Sequence, residues 1–420
     1  MNGTTERQGA ASSKARSTTS TSELGEATGL PVVIVVANTT AFALAFAAWI
    51  LFGPSARVIA AELGISPASA ALLKSVPILL GSVCRIPVGI ATDRLGARIV
   101  FPSLMLVSAA ATWLLSYADS FGALVVGGLI LGLIGATFAS GVQSVSSWTP
   151  RASQGLALGI FGAGNVGSAI TTFGLPVLLA SVGWRDAFRI YAAVLVVAAL
   201  VYWMIVRDAA TSAERPTLRS LLAPLANRRT WCFGLYYTAT FGVFVATTLT
   251  VGDIYIEGYR ISMQAAGVLA TTFTFTASLC RIPGGSLADR FGARAVMKAS
   301  LLVVVLALAP IVLGLPIEST VALVFIAGIA MGAGMAATFK YIPQTFPTSV
   351  GAVGGVVGAL GGLGGFFLPL LGSAVKSWTG SVHAQVLPLL VVAVAAIVLA
   401  LLVEGSTEPV PTSQPKLSPA

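Results

Sequence analysis

Read for polarity, the chain is a succession of apolar runs, each closed by charge or by turn residues. A helix needs about 20 apolar residues to cross a hydrocarbon core about 30 Å thick. Runs of that kind fall near 31–53, 71–91, 99–117, 121–148, 155–181 and 188–206. A second set lies near 231–252, 263–284, 295–314, 319–340, 348–375 and 383–403. The longest hydrophilic connector, Arg207 to Thr230, separates the sixth run from the seventh. The pattern predicts a tail over 1–30, a six-helix bundle over 31–206, a linker over 207–230, a second six-helix bundle over 231–404 and a tail over 405–420. The first tail holds eleven Ser or Thr residues and no apolar run. It is neither a signal peptide nor a span, and it reads as disordered.

Composition narrows the class. Of 420 residues, 56% are hydrophobic and 9% charged, at a mean hydropathy of +0.91. Soluble domains carry about a quarter charged residues, so a water-soluble fold is excluded. The 374 residues between the tails allow about 31 for each of twelve helix-plus-loop units, leaving little room for a large soluble domain. A net charge of +9 in a soluble protein would point to nucleic acid. Here it sits in alternate loops. Loops 2–3, 4–5, 6–7, 8–9 and 10–11 hold eleven Lys and Arg residues, the opposite loops five. The positive-inside bias puts the first set, and both termini, in the cytoplasm. No nucleic-acid partner is expected, and the bilayer is the surrounding medium. Cys84, Cys232 and Cys280 fall in or beside apolar segments and make no disulfide or metal framework. Neither a metal nor a cofactor is expected.

An internal repeat fixes the architecture. Ser82 to Arg98 reads SVCRIPVGIATDRLGAR and Ser278 to Arg294 reads SLCRIPGGSLADRFGAR, identical at eleven of seventeen positions. The offset of 196 residues also relates Gly155, Gly159 and Gly162 to Gly351, Gly355 and Gly358. Two six-helix halves in parallel orientation follow, related by an axis along the membrane normal, with substrate held near the midplane between them. The fold class is an all-α polytopic membrane protein of twelve transmembrane helices.

Within the repeat, Arg85 lies eight residues before Asp93, about 12 Å into the bilayer at 1.5 Å per residue. Arg281 sits at the same depth in the second half. A buried arginine costs at least about 2.5–3.5 kcal/mol on insertion scales. No acidic residue lies at that depth: Asp253 and Glu257 are near the far end of the seventh span, and Asp93 and Asp289 at the cytoplasmic rim. The missing counter-ion is then an anionic substrate, and a guanidinium offers a planar donor fork for a planar oxyanion. The alternative is that both arginines snorkel or bind backbone carbonyls at helix breaks. In the loop, Asp93-Arg94-x-Gly96-x-Arg98 and its copy Asp289-Arg290-x-Gly292-x-Arg294 supply a charged helix end and a glycine turn. Salt bridges and helix-end contacts there are expected to lock the halves together. Lys340, read as closing the tenth span, has two readings: a snorkelling interface residue or a proton-linked group. Lys74 reads as an outer anchor.

The fifth and eleventh spans are rich in glycine at three- and four-residue spacing, which lets helix backbones approach closely. Asn165 stands out between Gly164 and Gly167. A midspan amide donates to an anion or ties to a neighbouring helix, and both readings stay open.

The loop motif resembles the signature loop of the major facilitator superfamily, and Gly183-Trp184-Arg185 with Phe188 is familiar there as well. Gly-Asn-x-Gly in the fifth span and Gly361-Gly362-Leu-Gly364-Gly365-Phe-Phe-Leu-Pro in the eleventh look like the signature helices of the nitrate/nitrite porter family. Signature glycines are then Gly162, Gly164, Gly167, Gly358, Gly361, Gly362, Gly364 and Gly365. The resemblance implies that Arg85 and Arg281 clamp the anion, that Phe138 and Tyr237 wall it and that Asn165 contacts it. It departs at Ser168 and Ala169, where many members continue with glycine. It further implies nitrate or nitrite as substrate, transport by alternating access, and a bacterial inner-membrane location. A monomer is expected. Buried arginines left unpaired in an empty site favour exchange, whereas Phe339-Lys340-x-x-Pro343 resembles the proton-symporting branch, which would make protons a second partner. A carrier for an organic carboxylate is the competing reading, and a transport-incompetent anion sensor is another. A membrane enzyme would need a nucleophile–base pair or paired carboxylates, which the sequence lacks at depth.

Overall fold

Helix boundaries follow the apolar runs closely. The computed structural model describes residues 31–209, 226–347 and 349–404. The expected tails and most of the linker lie outside them. Ten continuous helices are long and apolar enough to cross a membrane, and a pair bent by 42°, Leu72–Val83 with Arg85–Leu95, makes eleven. The twelfth lies within the 52-residue run Gln154–Ile205, where Gly183 at φ 77° and ψ 170° turns the chain between two spans. In chain order they are α1 (Pro31–Ala56), α2 (Pro67–Val83 and Arg85–Leu95), α3 (Ala97–Leu115), α4 (Phe121–Trp148), α5 (154–182) and α6 (184–205). The second half has α7 (Arg228–Gly258), α8 (Ala265–Phe291), α9 (Ala293–Ile311), α10 (Ile317–Thr345), α11 (Val350–Thr379) and α12 (His383–Val403). One face carries the ends of the described chain, residues 31 and 404, and is called the terminal face below.

Several spans are irregular where the sequence predicts it least. Pro87 lacks an N–H and its ring crowds the carbonyl four residues back, that of Val83. The helix breaks at Cys84, so Arg85 opens a new helical segment at midspan. The Cys280-Arg281-Ile282-Pro283 copy does the same in α8. A 3₁₀ turn at Leu133–Ala136 interrupts α4, another at Gly164–Val166 interrupts α5, and a π turn at Thr238–Gly242 interrupts α7. Such turns cluster at functional sites, and these three lie near the arginines, whereas a second π turn in α7, Ile254–Gly258, lies at the far end of its span. α10 runs past Lys340 to Thr345 with Pro343 inside it, so Lys340 does not end its span.

The halves meet along two crossings, α5 against α8 and α11 against α2. At each, glycine faces glycine: a Cβ on Gly155 would collide with the Gly285 carbonyl, and one on Gly351 with that of Gly89. Opposite the terminal face the halves diverge around a cavity of about 420 Å³, lined by Trp49, Lys74, Ser168, Phe244, Thr248 and Thr274 among others. On that same side Trp184 Nε1 donates to Glu62 at 2.6 Å and Arg185 pairs with Glu62 and, at 2.7 Å, with Asp119. The Arg185 guanidinium, followed by the Trp184 indole, holds the Glu62 carboxyl below its usual range.

Candidate functional site

The site is built by the two crossings. Along α5, Gly155, Gly159, Gly162 and Asn165 recur about once per turn. Gly155 meets Asp289, Gly159 meets the backbone of Arg281, and Gly162 meets its guanidinium. One turn beyond Gly162 comes Asn165, and one turn beyond that Ser168 reaches the cavity. On α11 the same order recurs: Gly351 against Asp93, Gly355 against the Arg85 backbone, Gly358 against the Arg85 side chain. At Gly155, Gly159, Gly162, Gly351 and Gly355 no side chain larger than hydrogen fits without displacing a neighbour; Gly358 is looser, with Arg85 Cδ 3.0 Å from the position of a Cβ.

Both arginines are 1% exposed, and neither snorkels. Arg85 Nε donates to the Gly135 carbonyl at 3.1 Å, freed by the 3₁₀ turn of α4, and its NH1 donates to Gly358 across the interface at 2.6 Å. Its guanidinium carbon also lies 5.6 Å from the Trp49 ring, 5.5 Å from Phe138 and 5.4 Å from Phe241. For Arg85 the alternative reading, binding to backbone carbonyls, therefore holds in this structure. One acceptor lies in the 3₁₀ turn of α4, the other in the unbroken α11. Arg281 is poorer: NH1 reaches only the Met335 sulfur at 3.6 Å, Nε has no partner, and one ring, Phe138, lies 5.6 Å away. Among the described residues no carboxylate pairs with either. Two cations share one ring, and cation–π attraction offsets part of their desolvation.

Phe138 and Tyr237 stack at 6.2 Å, and Phe339 meets both edge-on at 4.8 and 4.7 Å. Tyr237 also stacks on Phe241 at 5.0 Å and lies against Gly361. The Tyr237 hydroxyl and both amide atoms of Asn165, 1% exposed, have no hydrogen-bond partner. Of the remaining signature glycines, Gly164 lies against Phe42, Gly167 against the Ala43 backbone, Gly362 against Ser82, Gly364 against Thr238 and Gly365 against Val245. They close helix contacts and leave the anion-facing work to others.

The loop motif sits apart, at the terminal face. Asp93 accepts from Gly351 N at 3.2 Å and Ala352 N at 2.8 Å, the first turn of α11. Asp289 accepts from Gly155 N at 2.8 Å and Leu156 N at 2.7 Å, the first turn of α5. A carboxylate on a helix N-terminus is stabilised by the helix dipole and by free N–H groups. Gly96 and Gly292 have φ of 86° and 87°, values that favour glycine. Arg94 is exposed, Arg98 lies over Trp203 at 5.2 Å, Arg290 over Phe291 at 5.2 Å, and Arg294 is half-buried. Lys340 is 3% exposed and forms an ion pair with Asp289, far from the snorkelling position. It is not at the level of the arginines.

Residues that sequence reasoning passed over are Trp49, Phe241, Met335 and Phe339. A signal existed for Phe241, one turn from Tyr237 and so on the same face.

Comparison with known proteins identifies the family. The family model described as "Major Facilitator Superfamily" matches residues 39–270 and 232–419. A probable nitrate/nitrite antiporter of Thermus thermophilus is 36% identical over 376 residues, covering 82% of this chain and 85% of the relative. The chain belongs to the nitrate/nitrite porter family of the Major Facilitator Superfamily. A nitrite extrusion protein of Bacillus subtilis is 32% identical over 84% of this chain and 90% of its own. A probable nitrate transporter of Staphylococcus epidermidis is 31% identical over 86% and 93%. Among solved structures, the human organic anion transporter MFSD10 superposes with a TM-score of 0.71 at 17% identity, covering 88% of this chain and 99% of that one. The E. coli fucose:proton symporter FucP gives 0.68 at 15%, covering 88% and 98%. At such identities these two share the fold. The porter is a multi-pass membrane protein of the transporter class, not an enzyme.

Proposed function

We propose that this porter carries nitrate and nitrite by alternating access, with the anion bound beside Arg281. The observation that carries the reading is the set of unpartnered buried donors, Arg281 Nε and the Asn165 amide, joined to a pair of arginines with no acidic partner. A planar ion of a few atoms suits them: the guanidinium fork takes two oxygens in its plane, and the amide takes a third. Phe138 and Tyr237 face it with ring surfaces. Rings packed at 4.7 to 6.2 Å leave no place for the chain of an organic carboxylate.

The cavity opposite the terminal face leads toward Ser168 and Asn165, while the terminal face is closed by the two aspartate–helix contacts. This is one end state of the cycle. In the other, those contacts part and the cavity closes. The loop charge bias supports termini in the cytoplasm of a bacterial inner membrane, so the open cavity faces outward. Arg281 is left unpaired in low dielectric when the site is empty, which opposes return of the empty carrier and favours exchange. Exchange also avoids moving net charge against the potential, about 2.3 kcal/mol per charge at 100 mV.

The test is flux in proteoliposomes with nitrate outside and either nitrite or nothing inside. Uptake confined to nitrite-loaded vesicles is the expected result. Uptake into empty vesicles under a proton gradient replaces exchange by symport. No flux of either anion overturns the substrate.

A further inference from the structure

The two terminal-face seals are equivalent by repeat and unequal by chemistry. Asp289 carries a cation from its own half: Lys340 pairs with it, at 3% and 14% side-chain exposure, and Lys340 Nζ also donates to the Arg151 carbonyl at 2.6 Å. Arg151 lies in the turn between α4 and α5 of the first half, so one ammonium ties the carboxylate to the opposing half. The offset of 196 residues puts Ser144 where Lys340 stands. Ser144 lines a polar pocket of about 190 Å³ beside Asp93, and its hydroxyl accepts from Asn38 at 3.1 Å. That half is held there by a neutral chain, Tyr202 to Asn38 to Ser144.

The charged groups around Asp93 can be named from each element. On its own helix Arg94 is exposed to solvent. Across the pocket stands Asp208, whose carboxylate accepts from Arg98 N at 3.1 Å. The Arg98 guanidinium turns to Trp203, with Nε on its carbonyl at 3.3 Å. The neighbouring stretch of α4 gives Gln143, Ser144, Ser147 and Trp148, and the first turn of α11 has no charged side chain. Asp93 thus has two backbone donors, a second carboxylate nearby and, among the described residues, no salt-bridge partner. Asp289 faces Lys340 and, on its own helix, Arg290, which stacks on Phe291.

We infer that Asp93 is the acid-sensitive latch of the terminal face, and that Lys340 is the positioning residue that holds the Asp289 contact in place by its charge. Only backbone N–H groups hold the charge of Asp93, whereas Asp289 also has an ammonium against it. Protonated, Asp93 loses its charge against the α11 N-terminus and the stronger of its acceptor bonds. Acid on the terminal face therefore loosens the α2–α11 seal and leaves the α8–α5 seal closed. The inference needs alternating access alone, and holds for any substrate.

Backbone hydrogen exchange in the substrate-free protein, followed from neutral to mildly acidic pH and corrected for intrinsic rates, tests it. The first turn of α11 is expected to lose protection by up to about tenfold per pH unit, the limit for one proton. The first turn of α5 is expected to hold. Ser144→Lys supplies the missing cation and should flatten the α11 response. Lys340→Met should give α5 the same response, and Lys340→Arg should suppress it again. Equal behaviour of both turns in the wild-type protein overturns the inference, as does an α5 turn that ignores Lys340→Met. The wild-type comparison decides even if a variant fails to fold, and since no anion is present, failure here leaves the flux reading untouched.

Discussion

Arg85 and Arg281 occupy the same place in their halves, yet one is at rest and the other is not. Arg85 has two carbonyl acceptors and three rings. Arg281 has a thioether, one ring and an idle Nε. The inequality reverses at the terminal face, where Asp289 is paired and Asp93 is not. Each half thus holds one satisfied charge and one poised charge, on opposite levels. A two-fold scaffold supplies the crossings, and departures from two-fold symmetry assign the tasks. On the proposed reading Arg281 of the second half meets the anion, as its sensor, while Arg85 of the first ties the halves together, as their anchor. The bond from Arg85 to Gly358 makes the anchor part of the interface itself.

The strongest way to break this comparison is to change the arginines separately. Arg281→Lys keeps the charge and loses the fork. It is expected to lower exchange flux by about 100-fold, the scale of charge-assisted hydrogen bonds lost. Arg85→Lys is expected to cost less in anion affinity and more in thermal stability, because its partners are protein carbonyls. Nitrate counterflow and a melting curve on both variants check this. Equal losses of affinity erase the distinction between anchor and sensor. A finer version uses the glycines. A methyl on Gly162 would occupy the space of the Arg281 guanidinium, whereas one on Gly358 would sit 3.0 Å from Arg85 Cδ and need only a small adjustment. Gly162→Ala should weaken nitrate binding about tenfold and Gly358→Ala by less than about threefold, as measured by isothermal titration.

Much of this was legible before any coordinates. Apolar run length gives the spans, and the SVCRIP and SLCRIP copies give the halves and both arginines. The inequality was hidden because the repeat itself argues for symmetry. It is broken at positions where the copies differ: Phe138 has Gly334 as its repeat mate, Asn165 has Gly361, and Lys340 has Ser144. Which of these matters depends on contacts across the interface, and a linear pattern does not report those. Carbonyl acceptors were an open reading for both arginines, but that Gly135 and Gly358 supply them to Arg85 alone depends on contacts the sequence does not report. Of the two readings of Lys340, its burial argues against snorkelling, and the end of the span was hidden because a lysine after an apolar run looks like an interface anchor until the helix is seen to continue.

A smaller effect sharpens the sensor side. Asn165 is buried with neither amide atom bonded, so it costs the empty protein stability and repays that only with a ligand. Asn165→Ala is expected to leave the melting temperature unchanged or slightly raised while nitrate affinity falls about tenfold. Melting with and without nitrate gives both numbers. A drop in stability of the ligand-free protein would return Asn165 to helix packing.

The smallest effect concerns the sulfur to which Arg281 donates. The Met335 sulfur is a weak acceptor, and the guanidinium must leave it or share it when an anion arrives. Leucine has nearly the same volume and flexes less, so Met335→Leu disturbs the core by little. It removes the competitor and leaves Arg281 still less satisfied in the empty site. Nitrate is therefore expected to bind slightly tighter, by less than about threefold, while the empty protein becomes slightly less stable. Affinity that falls instead means that the sulfur positions the fork for the anion, and the poised charge is then held ready by α10 rather than left idle.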